Sequence, residues 1–144
     1  MLDIQEISDR LEIQDLVVAY ATAVDGRDFD ALDRIFADDA YLDYTAFGGV
    51  TGNLAVVKKW IAQNLAQLPA IQHLIANPDI RVDGDRATGR VMCLNPIALP
   101  AEDGEPPVAM LGLWYLDEYV RTPQGWRISR RDHQRSWSQG LGGH

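Results

Sequence analysis

The segment AIQHLIANPDIRVDGDRATGRVMCL, residues 70–94, decides the fold class of this 144-residue chain. Within it, residues 71–75, 80–82 and 86–94 have the character of extended strands, and Asp83-Gly84-Asp85 is typical of a hairpin turn. Further along the chain, residues 108–121 and 126–137 are extended as well, with a second turn signal at 122–125 between them. The second half of the chain therefore predicts a series of antiparallel strands.

The half of the chain before Pro69 has mostly helical spacing instead. Asp3, with Glu6 three residues later, resembles a capping box, and Gly26 is placed for a left-handed helix cap. The predicted elements are a helix over about 4–25, a short helix over 29–36, a strand over 40–44 and a third helix over about 53–67. Helices first and antiparallel strands afterwards predict an α+β fold, in which a curved sheet lies over helices packed on one face.

Asp25 is the first candidate for chemistry. The first helix is expected to bury the face formed by Ile7, Leu11, Val18 and Ala21, and Asp25 lies near whole helical turns from all four. An ionised carboxylate facing an apolar interior is costly unless a group donates hydrogen bonds to it, so a partner is expected. The alternative is that Asp25 only caps the turn into the next helix.

His73 is the second candidate. Strand alternation places it on the same face as Ile71 and Ile75, where a histidine is more often a core residue than a catalyst. If a carboxylate held one ring nitrogen, however, the tautomer would be fixed and the other nitrogen could take a proton near neutral pH. Asp25 and His73 together would form a general base with its orienting acid.

Two tyrosines and an arginine are further candidates. Tyr20 and Tyr44 could donate their phenolic hydrogens to a substrate oxygen, although amphipathic packing with the hydroxyl at the surface explains them equally simply. Burying a guanidinium at Arg131 requires an acid or a ligand oxygen beside it. Alternation does not decide between Arg131 and Arg130, because Trp126 and Ile128 share a face with Arg130.

The composition excludes several classes of function. A net charge of -8 and a pI of about 4.7 disfavour nucleic acids and anionic membranes as partners. The single Cys93 excludes an internal disulfide. His133 and His144 have no metal-site spacing with His73, so no metal is expected. With no leader or membrane-spanning stretch in the sequence, a cytoplasmic location is expected.

One domain over residues 1–139 is predicted, followed by a frayed tail over 140–144. The loop predicted over 95–107 holds four of the seven prolines and is suited to a lid or a subunit contact.

Taken together, Tyr20, Asp25, Tyr44 and His73, with WRISRR at 126–131, resemble the scytalone dehydratase-like group of SnoaL-like proteins. The resemblance extends from Ile13 to Tyr119. It implies an NTF2-like, cone-shaped α+β barrel, with a curved mixed or antiparallel sheet wrapped over N-terminal helices, assembled as a homotrimer. Members use an Asp–His dyad, without metal or organic cofactor, to remove a proton while a neighbouring substituent leaves.

The resemblance implies that His73 is the base and Asp25 its orienter. In this hypothesis Tyr20 and Tyr44 donate to the carbonyl or leaving oxygen, and Arg131 stabilises the developing negative charge. Tyrosine at position 20, where the dehydrochlorinase of the group has lysine, favours loss of water over loss of chloride. The second active-site histidine of scytalone dehydratase has no counterpart between Arg86 and Leu116.

The expected function is therefore a cofactor-independent dehydratase that acts on a hydrophobic small molecule, a steroid-like or polyketide-like hydroxy-ketone or enone. One alternative is a ketosteroid-type isomerase in the same pocket. The other is a non-catalytic small-molecule binding protein, since one fold hosts many functions.

Overall fold

The computed structural model describes residues 1–141. The described part contains two α-helices, α1 (Ile4–Asp25) and α2 (Leu54–Leu65), and two short 3-10 helices, Phe29–Arg34 and Thr45–Phe47. Its strands are β1 (Phe36–Asp43), β2 (Thr51–Asn53), β3 (Ala70–Ile71), β4 (Leu74–Asp83), β5 (Arg86–Ala98), β6 (Val108–Thr122) and β7 (Gly125–Gln139).

The strands form one mixed sheet in the order β2-β1-β7-β6-β5-β3, with β4 also paired to β5. The pairing of β1 with β7 is parallel, and every other pairing among residues 1–141 is antiparallel. The sheet curls around α1 and α2, and the apolar core fills the space between them. The predicted α+β fold, with a curved mixed sheet over N-terminal helices, is confirmed.

Helix α1 begins where the sequence predicts, but it buries a different face. The Asp3 carboxylate accepts a hydrogen bond from the Glu6 amide at 2.8 Å, which confirms the cap. The predicted buried face is wrong, because its members Ile7, Leu11 and Val18 are 45%, 56% and 56% exposed. The buried residues of α1 are Asp9, Ile13, Val17, Tyr20, Ala21, Ala23 and Val24.

The physical reason for this difference lies at Asp9. Its carboxylate receives two hydrogen bonds from the Arg121 guanidinium, at 2.8 and 2.9 Å, and one from the Trp126 indole at 3.0 Å. These donors come from the far end of the chain and make a buried carboxylate acceptable. They lower the pKa of Asp9 to about 2, the Arg121 hydrogen bonds first, against the opposing effect of burial.

The end of α1 also differs from the prediction. Gly26 has φ -82°, a right-handed value, so its predicted left-handed conformation is wrong. The left-handed residue is Arg27, with φ 58°. Its guanidinium donates to the Leu65 and Leu68 carbonyl oxygens at 2.6 and 2.8 Å, which ties the end of α1 to the end of α2. These bonds offset the backbone cost of the left-handed conformation.

Most remaining differences concern where strands begin and end. Strand β1 starts at Phe36 instead of residue 40, and β5 continues through Pro96 to Ala98, so the proline-rich loop starts at Leu99. The strand predicted over 71–75 is interrupted after β3, and β4 resumes at Leu74. Both predicted hairpin turns are confirmed by the pairing of β4 with β5 and of β6 with β7. No helix in residues 1–141 is both long and apolar enough to cross a membrane.

The predicted tail, 140–144, begins within the described part of the chain. Leu141 packs against the core, while residues 142–144, including His144, lie outside the described residues.

Candidate active site

Asp25 and His73 meet where α1 ends and the sheet begins. Asp25 is the last residue of α1, and His73 lies in the two-residue break between β3 and β4. The Asp25 Oδ1 atom is 2.6 Å from Nδ1 of the His73 ring. The His73 backbone N–H, which the break releases from strand pairing, donates to Asp25 Oδ2 at 2.9 Å. Both oxygens of the Asp25 carboxylate are thus hydrogen-bonded to His73, one to its ring and one to its backbone. The other ring nitrogen, Nε2, remains available to a ligand.

The electrostatics of this pair keep the carboxylate ionised. The His73 side chain is 6% exposed and that of Asp25 is 25% exposed. Burial by itself would raise the pKa of Asp25, but the hydrogen bonds from the His73 ring and backbone outweigh it and lower that pKa. An ionised Asp25 accepts a hydrogen bond from Nδ1–H of His73, which fixes the tautomer and the orientation of the ring.

His73 lines a cavity of about 390 Å³ between the concave face of the sheet and the ends of α1 and α2. Most of its walls are aliphatic or aromatic, with a few polar groups among them, as is usual for small-molecule sites. The lining residues are Tyr20, Val24, Tyr44, Phe47, Gly48, Trp60, Ile61, Asn64, Leu65, Leu68, Ile71, His73, Asn95, Ile97, Leu99, Leu111, Leu113, Tyr115, His133 and Leu141.

Tyr20 and Tyr44 are both buried and both line this cavity. The Tyr44 hydroxyl donates to the Tyr20 hydroxyl at 2.7 Å. The Tyr20 ring lies edge-on to the His73 ring, with centroids 6.2 Å apart. Burial raises the pKa of Tyr20 to about 12 and that of Tyr44 well above its usual 10. Both groups are therefore neutral phenols, and the Tyr20 hydroxyl is free to donate to a ligand.

Arg131, not Arg130, points into the protein. In the pairing of β6 with β7, Ile128 lies opposite Tyr119 and Arg130 opposite Glu118, so Ser129 is an extra residue that forms a β-bulge. The bulge reverses the alternation: Ile128 and Arg131 are both completely buried, whereas the Arg130 side chain is 46% exposed. Simple alternation cannot foresee such an insertion.

The acid that buried Arg131 requires is Asp117, opposite it on β6. The Nε atom and one terminal nitrogen of Arg131 donate to the two Asp117 oxygens at 2.8 and 2.7 Å. The guanidinium lies over the rings of Tyr20 and Tyr115, at 4.5 and 3.9 Å from their centroids. Arg131 is not among the cavity-lining residues, so any influence on a ligand passes through these tyrosines.

His133 and Asn95 belong to the cavity but were not predicted. His133 on β7 stacks on the Tyr44 ring, and Asn95 lies on β5 in the stretch predicted as loop. For His133 a signal existed: it follows Arg131 by two residues, and alternation places both on one face. Asn95 gave no such signal, because the prolines around it indicated a loop.

The family of the chain follows from comparison with known proteins. Residues 5–132 match the model of the SnoaL-like domain. This chain belongs to the SnoaL-like family.

No group of three His, Cys, Asp or Glu side chains within residues 1–141 could hold a metal ion.

Relatives and structures of this SnoaL-like protein agree with the family. The uncharacterized protein Rv2910c of Mycobacterium tuberculosis is 50% identical over 131 residues, which cover 91% of this chain and 88% of the relative. A Novosphingobium aromaticivorans protein provisionally named a scytalone dehydratase has a TM-score of 0.83 at 20% identity, covering 96% and 91% of the two chains. The hexachlorocyclohexane dehydrochlorinase LinA-type3 of Novosphingobium barchaimii has a TM-score of 0.82 at 22% identity, covering 99% and 97%. These two structures share the NTF2-like fold of this chain.

Proposed function

We propose that this SnoaL-like protein is a cofactor-independent dehydratase that removes water from a hydroxy-ketone or enone-type small molecule of steroid-like or polyketide-like character. The observation that carries the proposal is the contact of Asp25 with His73 Nδ1 at the wall of a largely apolar cavity. A protein that only bound a small molecule would have no use for an imidazole oriented in this way.

His73 would act as the general base. Its Nε2 takes the proton from the carbon next to the substrate's carbonyl group, and Asp25 stabilises the resulting imidazolium. The electrons of the broken C–H bond form a carbon–carbon double bond as the neighbouring C–O bond breaks. The imidazolium then gives its proton to the departing hydroxyl, so that water leaves and His73 is neutral again.

The tyrosine pair would stabilise the negative charge that develops on the substrate's oxygen. A Tyr20 hydroxyl that accepts from Tyr44 becomes a better donor toward a ligand, because hydrogen bonds in a chain polarise one another. The Arg131 guanidinium over the Tyr20 ring acts in the same direction, as its charge opposes the rise in the pKa of Tyr20. Arg131 would thus be a positioning residue behind the phenol.

The experiment is turnover of a panel of steroid-like and polyketide-like hydroxy-ketones, with products analysed by mass spectrometry. The wild type should release a product lighter by one water. The variants His73→Ala and Asp25→Asn should fold and be slower by roughly a hundredfold to ten-thousandfold, the usual contribution of a general base. The exposed neighbour Gln72 provides the control, since Gln72→Ala leaves the dyad intact. Unchanged turnover in either dyad variant would refute the proposal.

The same assay separates the isomerase alternative. An isomerase returns the proton to another carbon of the substrate, so its product has the mass of the starting compound. Absence of turnover across the panel, with retained binding, would favour the non-catalytic alternative.

A further inference from the structure

His133 has no role in the proposed elimination, yet it occupies the cavity wall. Its ring stacks on the Tyr44 ring with centroids 3.7 Å apart and 21° between the planes, and it is tilted against Tyr115 at 5.2 Å. Its Nε2 atom is sealed from solvent and has no hydrogen-bond partner within residues 1–141. A buried polar atom without a partner costs free energy, so it calls for an explanation.

His133 differs from His73 in its electrostatic surroundings. Burial lowers the pKa of His133 well below its usual 6.5, and the charges of Arg131 and of a protonated His73 lower it further. His133 is therefore an uncharged imidazole, which carries one donor and one acceptor nitrogen.

Asn95 is a second polar group of this kind in the same cavity. Its residue is 7% exposed, and its buried Oδ1 atom also lacks a partner within the described part of the chain. The cavity wall thus contains two unsatisfied neutral polar groups in addition to His73 and the tyrosine pair.

We infer that His133 and Asn95 form a polar anchor for the hydroxyl group of a neutral, flat ring compound, a phenol, because a hydroxyl can both donate to and accept from such groups. The inference rests on the proposed function in that this ring compound is the substrate, held by an oxygen other than the one that leaves. The anchor would determine which ring compounds enter and how they are oriented toward His73.

The composition of the cavity wall favours a neutral ligand. The lining residues include no lysine, arginine, aspartate or glutamate within residues 1–141. A carboxylate or phosphate ligand would lose its hydration here without gaining a counter-ion, which is strongly unfavourable. The aromatic side chains Tyr44, Trp60 and Tyr115 favour a flat ring, which they can contact face-on or edge-on.

Calorimetric titration with 2-naphthol and 2-naphthoate at about pH 7 tests the anchor, since the first is then neutral and the second an anion. Wild-type protein should bind 2-naphthol at least roughly tenfold more tightly than 2-naphthoate. The variant His133→Phe keeps a flat ring against Tyr44 but has no polar atom, and it should bind 2-naphthol about tenfold more weakly. Asn95→Leu should weaken it in the same direction. Gln134→Ala, next to His133 but exposed, should bind as wild type does.

Three outcomes would overturn the inference: no binding of 2-naphthol to the wild type, equally tight binding of both compounds, or unchanged 2-naphthol affinity in His133→Phe and Asn95→Leu. His133→Gln, which retains a donor and an acceptor, should bind better than His133→Phe, and thermal unfolding verifies that each variant is folded. Binding requires no turnover. The anchor can therefore stand if the dehydratase proposal fails, and the reverse also holds.

Discussion

Asp117 and Arg131 face each other across β6 and β7, and both side chains are completely buried. A buried ion pair adds little to stability relative to an apolar pair, because both ions lose their hydration. Removing one member is different, since the other then stays buried without compensation. At the residue scale, the cavity-lining rings of Tyr20 and Tyr115 therefore pack on Arg131, whose charge must be balanced by Asp117.

Asp117→Asn should accordingly lower the free energy of unfolding by about 3–5 kcal/mol, the usual cost of an uncompensated buried charge. Urea titration followed by circular dichroism measures it. Glu118→Gln, the exposed neighbour on the same strand, should change stability by less than about 0.5 kcal/mol. Equal stability of the two variants would show that Arg131 does not depend on Asp117.

His133 should make stability depend on pH in the weakly acidic range. In the unfolded chain an ordinary imidazole binds a proton as the pH falls through about 6.5, whereas folded His133 has its pKa well below that value. The unfolded state then binds more protons, so stability is lost as the pH falls below about 6.5. His133→Phe should lose less stability than the wild type between about pH 7 and pH 5 in urea titrations. Parallel losses in the two proteins would contradict a depressed pKa.

At the scale of elements, the sequence predicted most helices and strands but not which way they face. Both Ile7–Leu11–Val18 and Ile13–Val17–Val24 have helical spacing on α1, so periodicity could not choose between them. Which face is buried depends on Arg121 and Trp126, more than a hundred residues away. Their side chains donate hydrogen bonds to Asp9 and so allow its carboxylate to be buried. The β-bulge at Ser129 is a similar case, because it is visible only in the pairing with β6.

The two faces of α1 give a direct test. Ile13 is completely buried and Leu11 is 56% exposed. Ile13→Ala should cost about 2–5 kcal/mol of unfolding free energy through the lost burial and the cavity left behind. Leu11→Ala should change it by less than about 0.5 kcal/mol. Thermal or urea unfolding measures both losses. A larger loss in Leu11→Ala than in Ile13→Ala would support the buried face predicted from periodicity and contradict the observed one.

At the scale of the whole molecule, the two residues of the dyad could be predicted from the sequence, but their contact is seen only in the folded chain. Asp25 and His73 are 48 residues apart in the chain, and they touch because α1 ends where β3 breaks from β4. The resemblance predicted the residues Tyr20 and Tyr44 for the same place, and both line the cavity. Alternation with Arg131 offered a signal for His133, but Asn95 could be assigned to the cavity only from the folded chain, because the prolines around it indicated a loop.

The assembly is a prediction at this scale as well. We expect a homotrimer, and exposed apolar side chains on the sheet, Val108 at 59% and Trp137 at 45%, are suited to a subunit contact. Light scattering on the eluting protein should give three times the 16.0 kDa of one chain. A mass equal to one chain would contradict the trimer without affecting the site.

The central claim is that His73, held by Asp25, removes a proton from carbon. Exchange of the protons next to the carbonyl group of 2-tetralone in deuterated water, followed by NMR, measures that step whether or not anything leaves. The wild type should accelerate the exchange, and His73→Ala and Asp25→Asn should each reduce this acceleration by roughly a hundredfold or more. Exchange at the wild-type rate in both variants, with 2-tetralone still bound, would contradict the account.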